Sequence, residues 1–397
     1  MRYQYVQGSR RLMPSGRGGS TNDIGEFRVY GLSPGQYYVS DTLRNEVVGN
    51  DTSDRNGYAA TFYPGTGSVA EAQRLTIEQG HTSAGINLTL LPIRTARVSG
   101  LALDADGKPF AGAMIGAMQR VGGMQMGGFI MTPVPPDGRF TINGLTPGEY
   151  TVRASVPSGE MATAEITVSG TDISDVQLVV AKPSIVRGRV LFAGATPAAN
   201  APSPTVLDLG AVRDWRIGQI VRSPARIKDD GTFEISMPAG RVLLRAAPTG
   251  GQSPWRLNRV LFQDIDVGDS GIDVAPNATI ENVIVEMTNR TNEASGRVTD
   301  ADGTTVRDCF VIVFAQDPAR WTVQTRYLAA VRPGSDDLFH ARLLAGDYYA
   351  VAMSDVENGA WTDAEFLSHA RDRATAFTIA DGEKKTLDLK VTQAPVF

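Results

Sequence analysis

The segment DGRFTINGLTPGEYTVRASV, residues 137–156, has the pattern of a β-hairpin, and three other segments of the chain repeat it. The other copies are DIGEFRVYGLSPGQYYVSD (23–41), DDGTFEISMPAGRVLLRAA (229–247) and DDLFHARLLAGDYYAVAMS (336–354). In each copy a turn precedes an alternating strand, a second turn contains glycine, and another alternating strand follows. Alternation of apolar and polar residues between turns is typical of half-buried antiparallel strands. The recurrence predicts one hairpin that the chain repeats four times.

Two turn positions define this hairpin. A glycine stands two residues before the Phe of the first strand in three copies, and Asp337 takes its place in the fourth. A second glycine, preceded by Pro or Ala, follows that Phe by seven or eight residues. Proline presets φ and glycine tolerates positive φ, so this pair predicts the return turn. Two sets of side chains are then predicted to point into a core: Phe27, Phe140, Phe233 and Phe339 before the turn, and Tyr37, Tyr150, Val242 and Tyr348 after it.

Each hairpin belongs to a longer unit of alternating strands. Three copies are preceded by an opening strand, in VSGLALDADGKP (98–109), VRGRVLFAGATP (186–197) and ASGRVTDADGTT (294–305). Units of about 100 residues with about seven such strands are typical of a β-sandwich. We therefore predict an all-β fold, a tandem array of four Ig-like or transthyretin-like Greek-key β-sandwiches. The predicted repeats are residues 1–94, 95–184, 185–292 and 293–397.

The first repeat is short. Only 26 residues precede Phe27, and none of them forms a G-x-V opening, so the repeat lacks its opening strand or strands. An incomplete sandwich would expose an unpaired edge, which proteins normally avoid. Two interpretations are open: the sequence starts too late or was trimmed, or another chain supplies the missing strand by β-augmentation. The C-terminal run KKTLDLKVTQAPVF (384–397) is one candidate donor.

Two segments depart from the strand pattern. TDAEFLSHARDR, residues 362–373, predicts a short helix in the last repeat, because Thr362 and Glu365 match a capping box. VGGMQMGGFIM, residues 121–131, is rich in Gly and Met. It is interpreted as a flexible loop with apolar tips, or alternatively as a soft contact surface.

Composition excludes several classes of protein. The chain has 397 residues and a formal net charge of −5, which argues against a nucleic-acid binder. Its one cysteine, Cys309, lies in an apolar run and is predicted to be a buried core residue rather than a reactive thiol. No run of 18 apolar residues predicts a transmembrane helix. The N-terminus lacks the apolar segment of a signal peptide, so we expect a cytosolic protein or a sequence that begins after its export signal.

The repeats resemble bacterial arrays of carboxypeptidase regulatory-like domains, which are transthyretin-like or prealbumin-like sandwiches. The matching motifs include VSGLALDADGKPFAGAMI (98–115), DGRFTINGLTPGEYTVRA (137–154) and SGRVTDADGTTVRDCFVIVFA (295–315). The resemblance extends from about residue 20 to the end. It implies an accessory β-sandwich that is typically exported, on the cell surface, extracellular or periplasmic, and that has no catalytic machinery. Repeat 3 departs most, with Ala239 and Val242 where the other repeats mostly have Pro and Tyr.

No catalytic or cofactor motif is found. His81, His340 and His369 lie far apart, and neither HExxH nor a Cys-His spacing occurs, so we expect no transition-metal site and no enzyme. The motif DADG occurs twice and supplies weak calcium candidates: Asp104, Asp106, Asp300 and Asp302. The rest of an EF-hand loop is missing, and a hairpin turn favours Asp and Gly anyway. A turn is therefore the preferred interpretation of both motifs.

Tryptophans are the remaining candidates for a binding site. All four lie in repeats 3 and 4, and three of them, Trp255, Trp321 and Trp361, are candidates for stacking on sugar rings. Aromatic residues of β proteins more often anchor cores or loops. Three hypotheses remain: an exported structural or assembly protein that joins copies of itself by strand exchange at repeat 1, a module that binds polysaccharide or another surface protein, and an accessory fragment of an enzyme or receptor.

Overall fold

The computed structural model of the chain is built almost entirely of β-strands. It describes residues 1–6, 8–15, 18–41, 56–121, 124–156, 161–180, 183–194, 207–213, 221–237, 239–249 and 253–394. Among these residues one α-helix is present, together with 3-10 turns at Val69–Glu71, Pro318–Arg320 and Ala360–Thr362. None of the described helical segments has the length and apolar character needed to cross a membrane. The predicted all-β class with one short helix is confirmed.

Compact packing divides the chain into two units. The first unit contains Met1–Tyr3 and Arg11–Ala181, and the second contains Gln4–Arg10 and Lys182–Phe397. Separate hydrophobic cores lie within residues 96–180, 186–287 and 294–391. These three cores lie inside the predicted repeats 2, 3 and 4. The boundaries of the four repeats stay a prediction.

Repeat 1 contains only short strands. Its strands are β1 (Arg2–Val6), β2 (Ser9–Met13), β3 (Gly35–Tyr37), β4 (Ser40–Asp41), β5 (Asn56–Tyr58), β6 (Thr61–Phe62), β7 (Leu75–Ile77) and β8 (Pro92–Arg94). They pair two by two, as β1 with β2, β3 with β7, β4 with β6 and β5 with β8. The segment 26–34, which is predicted to be the first hairpin strand, is not part of any strand.

Repeat 2 is a two-layered sandwich. Its strands are β9 (Ala96–Leu103), β10 (Met114–Val121), β11 (Met124–Pro133), β12 (Arg139–Leu145), β13 (Gly148–Ser155), β14 (Met161–Val168) and β15 (Ile173–Val179). One sheet has the order β11-β10-β13-β14 and the other β12-β9-β15. The opening strand β9 is thus the central strand of its sheet, antiparallel to β12 and parallel to β15. The two sheets bury side chains such as Ile115, Val152 and Leu178 between them.

Repeat 3 keeps this arrangement in longer sheets. Its strands are β16 (Ser184–Ala193), β17 (Leu207–Arg213), β18 (Val221–Pro224), β19 (Arg226–Ile227), β20 (Thr232–Met237), β21 (Gly240–Pro248), β22 (Arg256–Phe262), β23 (Ile265–Asp266), β24 (Ile272–Val274) and β25 (Thr279–Thr288). One sheet has the order β18-β17-β21-β24 and the other β19-β20-β16-β25-β22-β23. Here too the opening strand β16 lies between the first hairpin strand and the closing strand.

Repeat 4 carries the helix. Its strands are β26 (Asn292–Thr299), β27 (Phe310–Ala315), β28 (Leu328–Val331), β29 (Leu338–Leu343), β30 (Gly346–Ser354), β31 (Thr375–Ile379), β32 (Lys384–Thr386) and β33 (Leu389–Gln393), and the helix is α1 (Ala364–Arg371). Opening strand β26 pairs with β29 on one side and with β32 and β33 on the other. The C-terminal run considered as a strand donor is therefore largely paired within its own repeat, which argues against that role.

The helix begins one residue later than the predicted capping box requires. Asp363 is the N-cap, and its carboxylate accepts a hydrogen bond from the Glu365 amide. The Thr362 hydroxyl instead donates to the Gly359 carbonyl. The capping-box assignment was wrong because a closer carboxylate satisfies the amide groups of the first turn.

The Gly/Met-rich segment 121–131 is not a loop. Most of it belongs to the antiparallel pair β10 and β11, with Val121 opposite Met124 and Ala117 opposite Ile130. Cys309, by contrast, is buried as predicted, and burial raises the pKa of its thiol. A thiol that resists ionisation is a poor nucleophile.

The repeated turns have the conformations that the sequence predicts. The residue before the first hairpin strand has a left-handed φ in all four repeats: +83° at Gly25, +76° at Gly138, +80° at Gly231 and +65° at Asp337. The second-turn glycine is equally uniform, at +148°, +153°, +134° and +157° for Gly35, Gly148, Gly240 and Gly346. These values exclude most side chains, which explains why the two positions recur.

The tyrosine after the second turn fixes the corner of its repeat. Tyr37 and Tyr348 donate hydroxyl hydrogen bonds to the carbonyl four residues earlier, at 2.7 and 2.9 Å, and Tyr150 bonds the Thr146 hydroxyl at 2.9 Å. All three rings are buried. Burial raises the pKa of Tyr348 far above its usual value, so its hydroxyl stays protonated and serves as a donor. Val242 occupies the same place in repeat 3 without this bond.

Repeats 3 and 4 meet inside the second unit, where Val323 packs against Val212 and Leu243 and buried arginines bridge the two repeats. The Arg326 guanidinium, largely buried, donates to Asp269 at 3.1 Å and to Asp266 at 2.9 Å. Burial alone lowers the pKa of Arg326, but the hydrogen bonds and charges of these aspartates raise it above its usual value. Arg245 of repeat 3 adds a bond to the Gln324 carbonyl of repeat 4 at 2.7 Å.

Candidate functional site

The first hairpin strand and the opening strand share one contact in every complete repeat. A glycine of the opening strand lies opposite the hairpin Phe in the antiparallel register. The pairs are Gly100 with Phe140, Gly188 with Phe233 and Gly296 with Phe339. All three rings are at most 5% exposed. The glycine therefore makes room for the ring that anchors the hairpin to the core.

The same glycines also abut the closing strand. A Cβ added at Gly100, Gly188 or Gly296 would approach the carbonyl oxygen of Val176, Val283 or Leu387 to less than 3.0 Å, which real Cβ atoms essentially never do. At Gly100 and Gly188 it would also stand 2.9 and 2.7 Å from the Phe ring. Glycine is required where another backbone approaches this closely. At its glycine, the opening strand thus packs between the Phe ring of the hairpin strand and the backbone of the closing strand.

Repeat 1 has the hairpin Phe without the strand that covers it. No strand of the described residues pairs with segment 26–32, and every residue from 18 to 31 is exposed. Phe27 is 36% exposed and Val29 is 38% exposed, whereas their counterparts Phe140 and Ile142 are buried. The prediction that Phe27 points into a core was wrong, because no strand among the described residues pairs with its segment.

The uncovered segment nevertheless has the backbone shape of a hairpin strand. Gly25, Gly31 and Gly35 have φ of +83°, +73° and +148°, and the corresponding glycines 138, 144 and 148 of β12 and its turns have +76°, +74° and +153°. Asn22 and Glu26 close the preceding turn through a backbone bond of 2.8 Å. We call residues 25–32 the acceptor edge. Its shape is set without a partner strand.

The closing segment of repeat 1 has the same character. Gly85 has a φ of +74°, like the bulge residues Asp175 (+61°) and Asn282 (+63°) that precede the paired part of β15 and β25. The residues after Gly85 alternate between half-buried and exposed, with Ile86, Leu88 and Leu90 half-buried. They correspond to Val176, Leu178 and Val180 after Asp175. This segment, 85–90, carries no assigned strand.

The described residues of repeat 1 therefore include counterparts of both neighbours of an opening strand but no opening strand. Met1, which precedes β1, lies beside the second hairpin strand, because the Tyr38 amide donates to the Met1 carbonyl at 2.7 Å. We call the acceptor edge and segment 85–90, which correspond in sequence to the two neighbours of an opening strand, the strand slot. The number of missing strands, one or two, stays a prediction.

The calcium candidates are engaged in turns. Asp104 accepts hydrogen bonds from the amides of Asp106 and Lys108, each at 2.9 Å, and these amides lower its pKa, with that of Lys108 contributing most. Asp300 accepts in the same way from Asp302 and Thr304. Within the described ranges, no group of three His, Cys, Asp or Glu side chains could hold a metal ion. The turn interpretation explains all of these contacts, and a calcium site stays an untested prediction.

The tryptophan candidates belong to hydrophobic clusters: Trp321 and Trp361 pack against one cluster of repeat 4, and Trp255 lies in the core of repeat 3. Trp255 is buried and packs edge-on against Phe192 at 5.0 Å. The indole of Trp321 donates to the Ala315 carbonyl at 2.7 Å, and Trp361 packs on Phe310 at 4.6 Å, so both are half-buried anchors of repeat 4. Trp215 lies outside the described residues. Ligand stacking by Trp255, Trp321 or Trp361 stays a prediction.

Sequence reasoning identified the short first repeat but missed the partners of the absent strand. The run AGINLTLLP (84–92) was predicted from its alternation to be the closing strand of repeat 1, but its residues 85–90 carry no assigned strand. The opposition of glycine and Phe was not inferred. The signal for it was present, because all three opening strands share a glycine with Val or Ala two residues before it.

Comparison with known proteins gives low-identity matches among solved structures and one family match. No curated protein matches the chain. Among solved structures, the Bacillus anthracis TIE protein is 12% identical, over 94% of this chain and 65% of that one, with a TM-score of 0.19. The chain thus spans about two thirds of that protein. BcpA, the major pilin subunit of Bacillus cereus, is also 12% identical, over 75% of this chain and 99% of that chain, with a TM-score of 0.19.

A minor pilin of Streptococcus agalactiae is 14% identical over 49% of this chain and 95% of its own, with a TM-score of 0.28. The family comparison is more specific, because it matches residues 97–181 to the model of the carboxypeptidase regulatory-like domain. These residues span the strands β9 to β15. Repeat 2, in which the opening strand is central to its sheet, is thus similar to a carboxypeptidase regulatory-like domain.

Proposed function

We propose that this chain is a non-enzymatic structural or scaffold protein, exported to the bacterial surface, whose first repeat accepts a β-strand from another polypeptide. The observation that carries the proposal is the acceptor edge, which has the backbone shape of β12 but exposes the side chains that β12 buries. Export is the expectation that the carboxypeptidase regulatory-like resemblance adds.

Hydrophobic burial supplies the driving force. Phe27 and Val29 are more than a third exposed, while the equivalent pair in repeat 2 is almost fully buried. Burying the exposed third or so of these two side chains is worth about 1–2 kcal/mol in total, from roughly 1.5–3 kcal/mol for each complete burial. Main-chain hydrogen bonds to both sides of the slot would add to this, as in other β-augmentation complexes.

Self-association is one form of this function. A second copy would have to release a strand, because each opening strand described here and most of the C-terminal run are already paired. The solution mass of residues 1–397, measured by light scattering over a concentration series, separates the two sources of the strand. Multimers that disappear in Phe27→Asp would identify a second copy as the source of the strand, and a monomer at every concentration would exclude it.

The acceptor itself is tested with a peptide. A labelled peptide of the repeat 2 opening strand, RTARVSGLALD (94–104), is titrated with the full chain and followed by fluorescence anisotropy. We expect saturable binding that Phe27→Asp abolishes and that protects the amides of residues 26–32 from hydrogen exchange. The matched control is Tyr30→Asp, which changes an exposed residue on the opposite face of the segment. Equal binding to wild type and Phe27→Asp would contradict the proposal.

A further inference from the structure

We infer that the strand slot selects its partner by a glycine: it accepts an extended strand of the form V/A-x-G-x-A/V, with the glycine opposite Phe27. This inference deepens the proposed function and rests on it. The three complete repeats supply the template, because each holds such a strand in the corresponding position.

The positions on either side of the glycine are uniform in the template. Two residues before it, and two residues after it, stand small or β-branched apolar side chains that are at most 4% exposed. They are Val98, Val186 and Ala294 before, and Ala102, Val190 and Val298 after. The residue two positions before the glycine lies opposite the second apolar residue of the first hairpin strand, as Val98 lies opposite Ile142. In repeat 1 that position is Val29.

Two obstacles in the slot demand the glycine. In repeats 2 and 3 the hairpin ring lies within 3.0 Å of where a Cβ would be, and a carbonyl oxygen of the closing strand lies on the other side at less than 3.0 Å. Repeat 1 has residues of the same kind at the corresponding sequence positions, Phe27 on the acceptor edge and Ile86 after Gly85. An alanine could not withdraw from one obstacle without meeting the other.

The slot also sets the direction of the strand. In repeats 2, 3 and 4 the opening strand runs antiparallel to the hairpin strand and parallel to the closing strand. The partner of repeat 1 is therefore expected to run antiparallel to the acceptor edge and parallel to segment 85–90. A peptide of reversed order would place its apolar side chains in the same alternation but would reverse every hydrogen-bonded pair.

Three peptides titrated with the full chain test the inference. They are RTARVSGLALD (94–104), its Gly100→Ala variant, and a Ser99→Ala variant that adds the same methyl-bearing residue one position earlier. Anisotropy gives each dissociation constant. We expect the Ser99→Ala peptide to bind within about threefold of the parent and the Gly100→Ala peptide to bind at least about tenfold more weakly, because overpacking has no room to relax.

The outcomes separate the inference from the proposed function. If Gly100→Ala and the parent peptide bind equally well in a manner that Phe27→Asp abolishes, the slot accepts strands without selecting glycine, and the inference is overturned while the acceptor stands. If none of the three peptides binds the full chain, the acceptor itself is absent and both statements fail. Equal weakening by Ser99→Ala and Gly100→Ala would also overturn the inference, because the loss would then follow alanine content rather than position.

Discussion

The substitution Gly188→Ala tests the packing argument inside a complete repeat. Gly188 lies in the middle of β16, opposite Phe233 and beside Val283 of the closing strand. The added Cβ would stand 2.7 Å from the Phe233 ring and less than 3.0 Å from the Val283 carbonyl oxygen. Both neighbours are buried, so neither can swing into solvent. Either β25 must shift away from β16 or the ring must leave its place in the core.

The magnitude follows from two opposing effects. Overpacking a well-packed site costs about 1–3 kcal/mol, and two rigid obstacles put this site near about 3 kcal/mol. Replacing glycine with alanine lowers the conformational entropy of the unfolded chain, which offsets up to about 1 kcal/mol of this destabilisation. The net destabilisation of repeat 3 is then about 2 kcal/mol, which corresponds to about a 30-fold change in the opening equilibrium.

Hydrogen exchange of the full chain measures this equilibrium locally, because the central strands of a sheet exchange through opening of the repeat. We expect the amides of β16, β20 and β25 to exchange about 30-fold faster in Gly188→Ala. The matched control is Gly18→Ala, since no atom lies within 4 Å of an added Cβ there and the φ is ordinary. Exchange in the three strands that stays within about threefold of the control would refute the packing argument.

Two further predictions concern charged groups. Arg326→Ala leaves two largely buried carboxylates without their cation, and we expect it to lower the free energy of unfolding of the second unit by about 3–5 kcal/mol. Arg320→Ala removes an exposed ion pair and should change this free energy by less than about 1 kcal/mol. Calorimetry measures both changes. The hydrogen bonds of Glu293 and then Asp336 raise the pKa of His340 above 6.5, so the stability that they contribute is present below about pH 6.5 and is lost as the pH rises through the folded-state pKa. His340→Gln should flatten the decline of the urea midpoint between about pH 5.5 and pH 9, and an unchanged decline would contradict this.

The turns of each repeat were predictable from single residues because the requirement is local. A glycine before Phe, or Pro-Gly before the second strand, dictates φ whatever lies nearby, and even Asp337 adopts the left-handed φ of the glycine that it replaces. Tyr150 and Tyr348 were likewise predictable, since the alternation of the strand after the turn decides which side chains point inward.

Burial of the first hairpin strand was not predictable in the same way. Phe27 and Phe140 have almost the same neighbours in sequence, yet only Phe140 is buried. The difference comes from β9, which is supplied some 40 residues before Phe140 and has no described counterpart before Phe27. Local pattern indicates which side of a strand is apolar, but coverage of that side depends on a non-local partner. The predicted helix start was wrong because the carboxylate of Asp363 caps the helix. The prediction of a loop at 121–131 was wrong because this glycine-rich segment pairs as β-strands.

The junction between repeats 3 and 4 has a mechanical consequence. The guanidinium of Arg326 is planar, and its bonds to Asp266 and Asp269 are directional, while Arg245 ties a neighbouring carbonyl across the same boundary. Apolar contacts alone would allow the two sandwiches to rotate relative to each other at little cost in free energy. These hydrogen bonds, by contrast, weaken when the angle between the two repeats changes. A lateral force on repeat 4 is therefore transmitted to repeat 3. The pair of repeats resists bending at this junction.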